Sequence, residues 1–352
     1  MRDVAIVSYA QAPMQRDAGG RTDVELLVPV MDQALAGAQL GRKDIDFVCS
    51  GSCDYLAGAA FSFVMAVDAL GATPCAQESH VEMDAAWALY EAWLKFQCGE
   101  IDTALIYGFG KSAPGDLPDV LSLQLDPYYT QPLWPDSISL AAIQAQMSIA
   151  KGCFSEREMA QVVAESRRNA QRNPHAQLKG EYAVDGLLSE PTFVSPLRRH
   201  DCSPISDGCS VLILASKEKA AALCERPAWI KGLDHRMESH FLGTRDLTTS
   251  ASSKQSAEAL QLDRDKLDCA ELYAPFSHQQ LILQQALGLK ENTDINRSGG
   301  ALAGHVLMAA GLDRFGAAAQ EIFAGRADRA LAHATSGPCL QQNLFGVLEG
   351  AA

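Results

Sequence analysis

The sequence predicts an α/β protein built from two similar halves, and three observations carry that prediction. Strand-like and helix-like segments alternate over residues 4–110, a Pro-rich stretch then interrupts them, and the alternation resumes from residue 208. In the first run, "VAIVSYA" (4–10) reads as a strand and "DVELLVPVMDQALAGAQL" (23–40) as an amphipathic helix. "IDFVCSG" (45–51) is a second strand and "GAAFSFVMAVDAL" (58–70) an Ala-rich helix. The stretch "ESHVEMDAAWALYEAW" (78–93) reads as a loop entering a helix capped by Asp84, and "TALIYGFG" (103–110) as a further strand.

Residues 112–200 break the rhythm with "PGDLPD", "DPYYTQPLWPD", "RNPHAQLKG" and "SEPTFVSPLRR", around two helical stretches. Such an insertion on a rigid scaffold commonly carries ligand contacts. "CSVLILAS" (209–216) returns to a strand. The second half then offers "AWIKGLDHR", a helix near 251–263, "DCAELYAPF", the helix "HQQLILQQALGL" and a Gly-rich helix entry from Asn296. Two closing strands, "RALAHATSG" and "LFGVLEG", finish it. The expected division is residues 1–111 with 201–217 as one half, 112–200 as an inserted loop domain, and 218–352 as the other half.

The formal net charge of −14 argues against nucleic acid as a partner and leaves local anion sites open. No apolar run approaches the roughly 20 residues of a membrane helix, and the N-terminus lacks a signal-peptide pattern. The ten cysteines are scattered without CxxC pairs, which predicts no metal site in this chain and a reducing cytoplasm.

Four segments in order, "RRNAQRNPHAQ" (168–177), "HDCSPISDGCSVLILAS" (200–216), "AELYAPF" (270–276) and "NRSGGALAGH" (296–305), resemble the thiolase superfamily. The resemblance is to the branch of sterol-carrier-protein-type thiolases and lipid-transfer-like proteins. It implies duplicated βαβαβαββ halves in a five-layer α/β/α/β/α sandwich, a loop domain over the site, a CoA-thioester substrate and a homodimer formed through the first half.

Thiolases place a nucleophilic cysteine at a helix N-terminus, where the dipole favours the thiolate. Over "ESHVEMD" that position falls on Val81, and Cys75 and Cys98 are poorly placed to replace it. A valine cannot attack a thioester, so on this alignment acyl-enzyme chemistry is excluded, leaving only a thiolase with a displaced nucleophile as a third reading. The second motif puts Tyr273 where this branch has histidine, and the third keeps its histidine in Gly304-His305-Val306. The closing "TSGPCLQQ" contains Ser336, Gly337 and Cys339, the cysteine offset from the family's base.

A thiolase-like chain with no cysteine and a tyrosine in the second motif resembles the bacterial steroid side-chain aldolases. These cleave a 3-hydroxyacyl-CoA by retro-aldol chemistry, together with a zinc-ribbon/OB-fold partner. That resemblance implies Tyr273 and His305 as catalytic groups, one on the hydroxyl proton and the other on the thioester oxygen. His80, Val81, Glu82, His240, Asn296, Gly304, Ser336 and Gly337 are implied as substrate contacts. It implies no cofactor in this chain beyond the CoA of the substrate, with zinc held by the partner. The alternative is a non-catalytic thiolase-like subunit that stabilises a partner. The helix after Val81 is expected to turn its positive end toward a thioester or enolate oxygen.

Overall fold

The computed structural model describes residues 2–71 and 77–350. The described strands are β1 (Val4–Gln11), β2 (Phe47–Gly51), β3 (Gln77–Val81), β4 (Thr103–Gly110), β5 (Thr192–Val194) and β6 (Leu197–Arg198) in the first part. They continue as β7 (Gly208–Ser216), β8 (Ala228–Met237), β9 (Cys269–Glu271), β10 (Asp294–Ile295), β11 (Arg329–Ser336) and β12 (Gln342–Glu349). Apart from the β5–β6 hairpin, they form one mixed sheet in the order β10-β9-β11-β12-β8-β1-β7-β4-β2-β3.

Split at its middle, the sheet reads β3-β2-β4-β7-β1 and β10-β9-β11-β12-β8. Numbered within its own half, each set has the same strand order. The duplication expected from the alternation is therefore real in topology. The halves meet edge to edge, β1 antiparallel to β8, with Ala5 opposite Trp229 and Ile6 opposite Ala228.

β4 and β7 are buried along their whole length and β1 at all but Tyr9, and they read as mostly apolar runs, because helices cover both faces. Helices Ala85–Gln97 and Ala310–Phe323 lie between the halves. Their Trp87, Leu89, Phe315 and Ile322 join Phe47 and Ile106 of one half and Ala332 and Leu344 of the other in one cluster. Helix Asp23–Gly37 covers the outer face of the first half through Leu27 and Met31, against Leu105 and Ile213. Helices Ala251–Ala259 and Ser277–Leu287 cover the second through Ala257, Ile282 and Leu283, against Leu331 and Phe345. The result is the α/β/α/β/α layering.

The middle layer sits close on the sheet because Gly51 and Gly108 leave it room. A Cβ at Gly51 would meet the backbone of Ala85, and one at Gly108 would meet Ala85 and the Met308 carbonyl. The ends of β2 and β4 are thereby pressed against the start of both central helices, where the candidate site lies.

Four local expectations are corrected. The loop expected across "ESHV" is the edge strand β3, parallel to β2 from Phe47 opposite Gln77 to Gly51 opposite Val81. Ladder pairing overrides the weak strand propensity of Glu78 and Ser79. The helix expected over 58–70 is broken: Phe61 has φ of 56°, only Ser62–Val67 is α-helical, and a 3-10 turn follows. The Asp54 carboxylate, bonded to the N–H groups of Phe61 and Ser62, fixes that break. The Gly-rich entry from Asn296 is not one helix but a single turn, Gly300–Ala303, an irregular run through His305, and then Ala310–Phe323. Residues 112–200 hold four helices rather than two: Leu117–Ser122, Ser137–Ala150, Glu156–Asn169 and Val184–Ser189. Cys75 lies outside the described residues.

Candidate active site

Asp84 caps helix Ala85–Gln97 through the Ala86 N–H at 2.9 Å. The same carboxylate accepts from the N–H groups of Gly311 (2.8 Å) and Leu312 (3.2 Å), at the start of helix Ala310–Phe323. One side chain, 2% exposed, thus caps both central helices. The Ala85 N–H is taken by the Met308 carbonyl. The positive helix end expected to turn toward a thioester oxygen is met, as its N-cap, by a carboxylate that also occupies the start of the second helix. Burial raises the Asp84 carboxyl, while these backbone donors and Arg314 pull it back down.

Val81 ends β3, half-buried against the central cluster, and its carbonyl accepts from Ser52 N–H at 3.3 Å. Its flanking polar residues are tied to the protein. His80 meets Ser50 Oγ through Nδ1 (2.9 Å) and Glu82 Oε2 through Nε2 (3.2 Å), and its ring stacks on Phe63 at 4.5 Å. Glu82 also accepts the Asp54 N–H at 2.7 Å. Among the described residues no activated thiol stands nearby. The Cys53 thiol is raised by burial, and Cys98 is exposed at the far end of the helix. Cys339 is buried with its Sγ toward the Leu140 carbonyl, and burial pushes its thiol up to about 12, unsuited to a base.

The second and third motifs bring Tyr273 and His305 together. Tyr273 follows β9, and His305 stands in the irregular run before helix Ala310–Phe323; the phenol oxygen and Nε2 are 2.6 Å apart. Nδ1 lies 2.9 Å from Ser203 Oγ, and the His305 N–H donates to Ser206 Oγ at 2.9 Å. Burial holds the Tyr273 phenol well above its ordinary value and, with Arg314 nearby, pushes His305 down to about 4. At neutral pH the pair is therefore a phenol and a neutral imidazole, joined by one short hydrogen bond. Tyr273 is therefore no pre-ionised base, and the two residues expected to act separately, on the hydroxyl proton and on the thioester oxygen, share a single hydrogen bond.

Asn296 was expected to meet substrate, but its amide is committed internally. Oδ1 accepts from Leu272 N–H at 2.6 Å and Nδ2 donates to Gln280 at 2.9 Å. It pins the backbone one residue before Tyr273 instead. Gly304 lies against Met14, with no room for a Cβ. Ser336 ends β11, and Gly337, at φ of 75°, packs on Gln341, which His240 meets at 3.4 Å. Arg245 clasps this loop through the carbonyls of Pro338 and Cys339. Among the described residues no hydrogen bond joins the His240–Gln341 group to Tyr273 and His305.

Sequence reasoning missed the double cap by Asp84, the Ser203 contact and the buried pair Glu271–Arg314 (3.2 Å) with its Ser298 bridge. Ser203 lay inside the quoted "HDCSPISDG" segment, so its motif position was a usable signal. The Glu271–Arg314 pair has none, because 43 residues separate its partners. Among the described residues no group of three or more His, Cys, Asp or Glu side chains is arranged to hold a metal ion, and no helix is long and apolar enough to cross a membrane.

Two buried histidines, His278 and His333, and the part-buried His305 give the fold a pH signature. Burial pushes His278 down to about 3 and His305 and His333 down to about 4. Each is neutral when folded and protonates near 6.5 when unfolded, so each stabilises fully above pH 6.5 and loses that contribution as pH falls toward 4. Denaturant midpoints are expected to fall steadily between pH 7 and 4.5. The slope is on the order of 1 kcal/mol per pH unit for each histidine at most. A His278→Gln chain is expected to show a shallower fall.

No protein-family model matches the chain. It is 26% identical over 349 residues to an acetyl-CoA acetyltransferase of Methanocaldococcus jannaschii, covering 90% of this chain and 88% of the relative. It is 22% identical over 237 residues to the 17-hydroxy-3-oxo-4-pregnene-20-carboxyl-CoA lyase of Mycobacterium tuberculosis, covering 64% of this chain and 61% of that enzyme. Among solved structures it superimposes on the Ltp2-ChsH2(DUF35) aldolase with a TM-score of 0.82 and 18% identity, over 99% of this chain and 98% of that one.

Proposed function

We propose that the chain, similar to an acetyl-CoA acetyltransferase and to a CoA lyase, is a carbon–carbon lyase acting on a 3-hydroxyacyl-CoA without a covalent acyl-enzyme. The observation that supports this reading best is the 2.6 Å contact between Tyr273 and His305, beside a nucleophile position occupied by Val81. A retro-aldol step needs a proton acceptor for the 3-hydroxyl and a donor for the enolate carbon, and needs no nucleophile.

In the arrangement we propose, Ser203 accepts from Nδ1–H of His305, which leaves the Nε2 lone pair facing the Tyr273 hydroxyl. The Tyr273 oxygen takes the proton of the substrate hydroxyl as its own proton passes to Nε2. The C3–O bond becomes a carbonyl, the C2–C3 bond breaks, and its electrons form the thioester enolate. The same proton returns through Tyr273 to C2. The products are a free aldehyde or ketone and an acyl-CoA shortened by the released carbonyl fragment. The high phenol pKa and the low imidazole pKa suit a relay, since neither group holds a stable charge in the dry site.

We extend the reading to a bulky, steroid-like acyl group, a homodimer and a zinc-bearing partner protein. The names of the lyase relative and of the aldolase neighbour support the substrate class and the hetero-oligomer. The test is to incubate the purified chain, alone and co-expressed with its partner, with a steroid-side-chain 3-hydroxyacyl-CoA. Release of a carbonyl product supports the reading. Partner binding with no turnover under either condition would show a non-catalytic subunit instead.

A further inference from the structure

Between the inserted segment, the end of β1 and the second half lies a cavity of about 680 Å³ that the retro-aldol reading does not use. Neither Tyr273 nor His305 lines it, and its size is that of a small-molecule site. Four arginines stand in its wall: Arg172, Arg297, Arg314 and Arg326.

Three of the four are spent on protein carboxylates. Arg314 pairs with Glu271 at 3.2 Å, Arg297 with Asp294 (2.6 Å) and Glu321 (3.0 Å), and Arg326 with Glu321 (2.7 Å). The remaining lining carboxylate, Asp313, accepts from the Tyr9 hydroxyl at 2.9 Å. The acids of the wall are thus already answered, which disfavours a cation as the occupant. Arg172 is different: among the described residues its guanidinium has no hydrogen-bond or ion-pair partner. Gln11 also lines the cavity and is only 7% exposed, yet its side-chain amide has no partner among the described residues. The Gln11 amide is open to the cavity rather than sealed in the core, and the exposed Arg172 guanidinium, unpaired among the described residues, lines the same space. Their shared complement is an oxyanion, whose oxygens accept from both.

We propose that this cavity is a binding site for a small oxyanion, a carboxylate or a phosphate ester, held by Arg172 and Gln11. Because Arg172 belongs to the inserted segment and Gln11 to β1, the ligand bridges insertion and core.

The test titrates the full-length chain with inorganic phosphate and, separately, with malonate in a calorimeter, in chloride buffer. Saturable one-to-one binding of at least one anion is expected, and the tighter of the two assigns phosphate or carboxylate chemistry. Arg172→Ala, at an exposed position that leaves the fold intact, is expected to weaken that binding at least tenfold, and Gln11→Leu several-fold. Tyr273→Phe is expected to leave it unchanged, which separates this site from the lyase reading. Absence of saturable binding for both anions, or binding that Arg172→Ala does not weaken, overturns the proposal. If Gln11→Leu does not fold, Arg172→Ala decides alone.

Discussion

A Tyr273→Phe chain is expected to lose about 10²- to 10⁴-fold in kcat on a 3-hydroxyacyl-CoA, the usual scale for removing a general acid–base group. The phenylalanine ring keeps the packing of Tyr273 in the central cluster, so the loss should come with little change in thermal midpoint. His305→Ala is expected to fall by a comparable factor. The sharper expectation concerns the pair. Because the phenol and Nε2 share one 2.6 Å hydrogen bond, the two residues act on one proton in sequence. The double variant should therefore be no worse than the weaker single variant by more than about tenfold, as for groups that work as a unit. Losses that multiply would place the two side chains on separate steps. Ser203→Ala, which frees Nδ1 and relaxes the tautomer, is expected to cost about tenfold with KM nearly unchanged.

The largest stability effect is expected at Asp84. Asp84→Ala strands the N–H groups of Ala86, Gly311 and Leu312 in a site closed to water. A buried donor left without an acceptor costs about 1–3 kcal/mol, so a loss of roughly 3–5 kcal/mol is expected, enough to unfold much of a marginally stable protein at 37 °C. Asp84→Asn keeps one acceptor oxygen and should lose about half as much. Urea unfolding of the three chains measures this directly. Equal losses for alanine and asparagine would show that charge, not hydrogen bonding, holds the helix ends.

The fold was readable because its signals are local and repeated. Uninterrupted apolar runs such as "VLILAS" mark strands covered on both faces, and their recurrence after residue 208 foretold the matching strand order of the two halves. The misreadings were non-local. β3 is a strand only because β2 lies beside it, and the 58–70 helix breaks because Asp54 reaches back to it. At the site, motif order paired Tyr273 with His305 in sequence, but their shared hydrogen bond and opposed pKa shifts depend on burial. The same holds for Asp84. Its N-cap to the first helix was legible from "DAAW", whereas its cap to the second spans 227 residues and required the fold.

Cleavage without an acyl-enzyme has one decisive signature, independence from free CoA. A thiolase must pass its acyl group to a CoA thiol, whereas a retro-aldolase releases a free carbonyl compound. Turnover of a 3-hydroxyacyl-CoA by the chain with its partner is to be followed by mass spectrometry, with free CoA withheld and then supplied. One aldehyde or ketone and one shortened acyl-CoA are expected per substrate, at a rate that added CoA does not change. If instead the chain cleaved only the corresponding 3-oxoacyl-CoA, and only with CoA supplied, yielding two thioesters, it would be a thiolase.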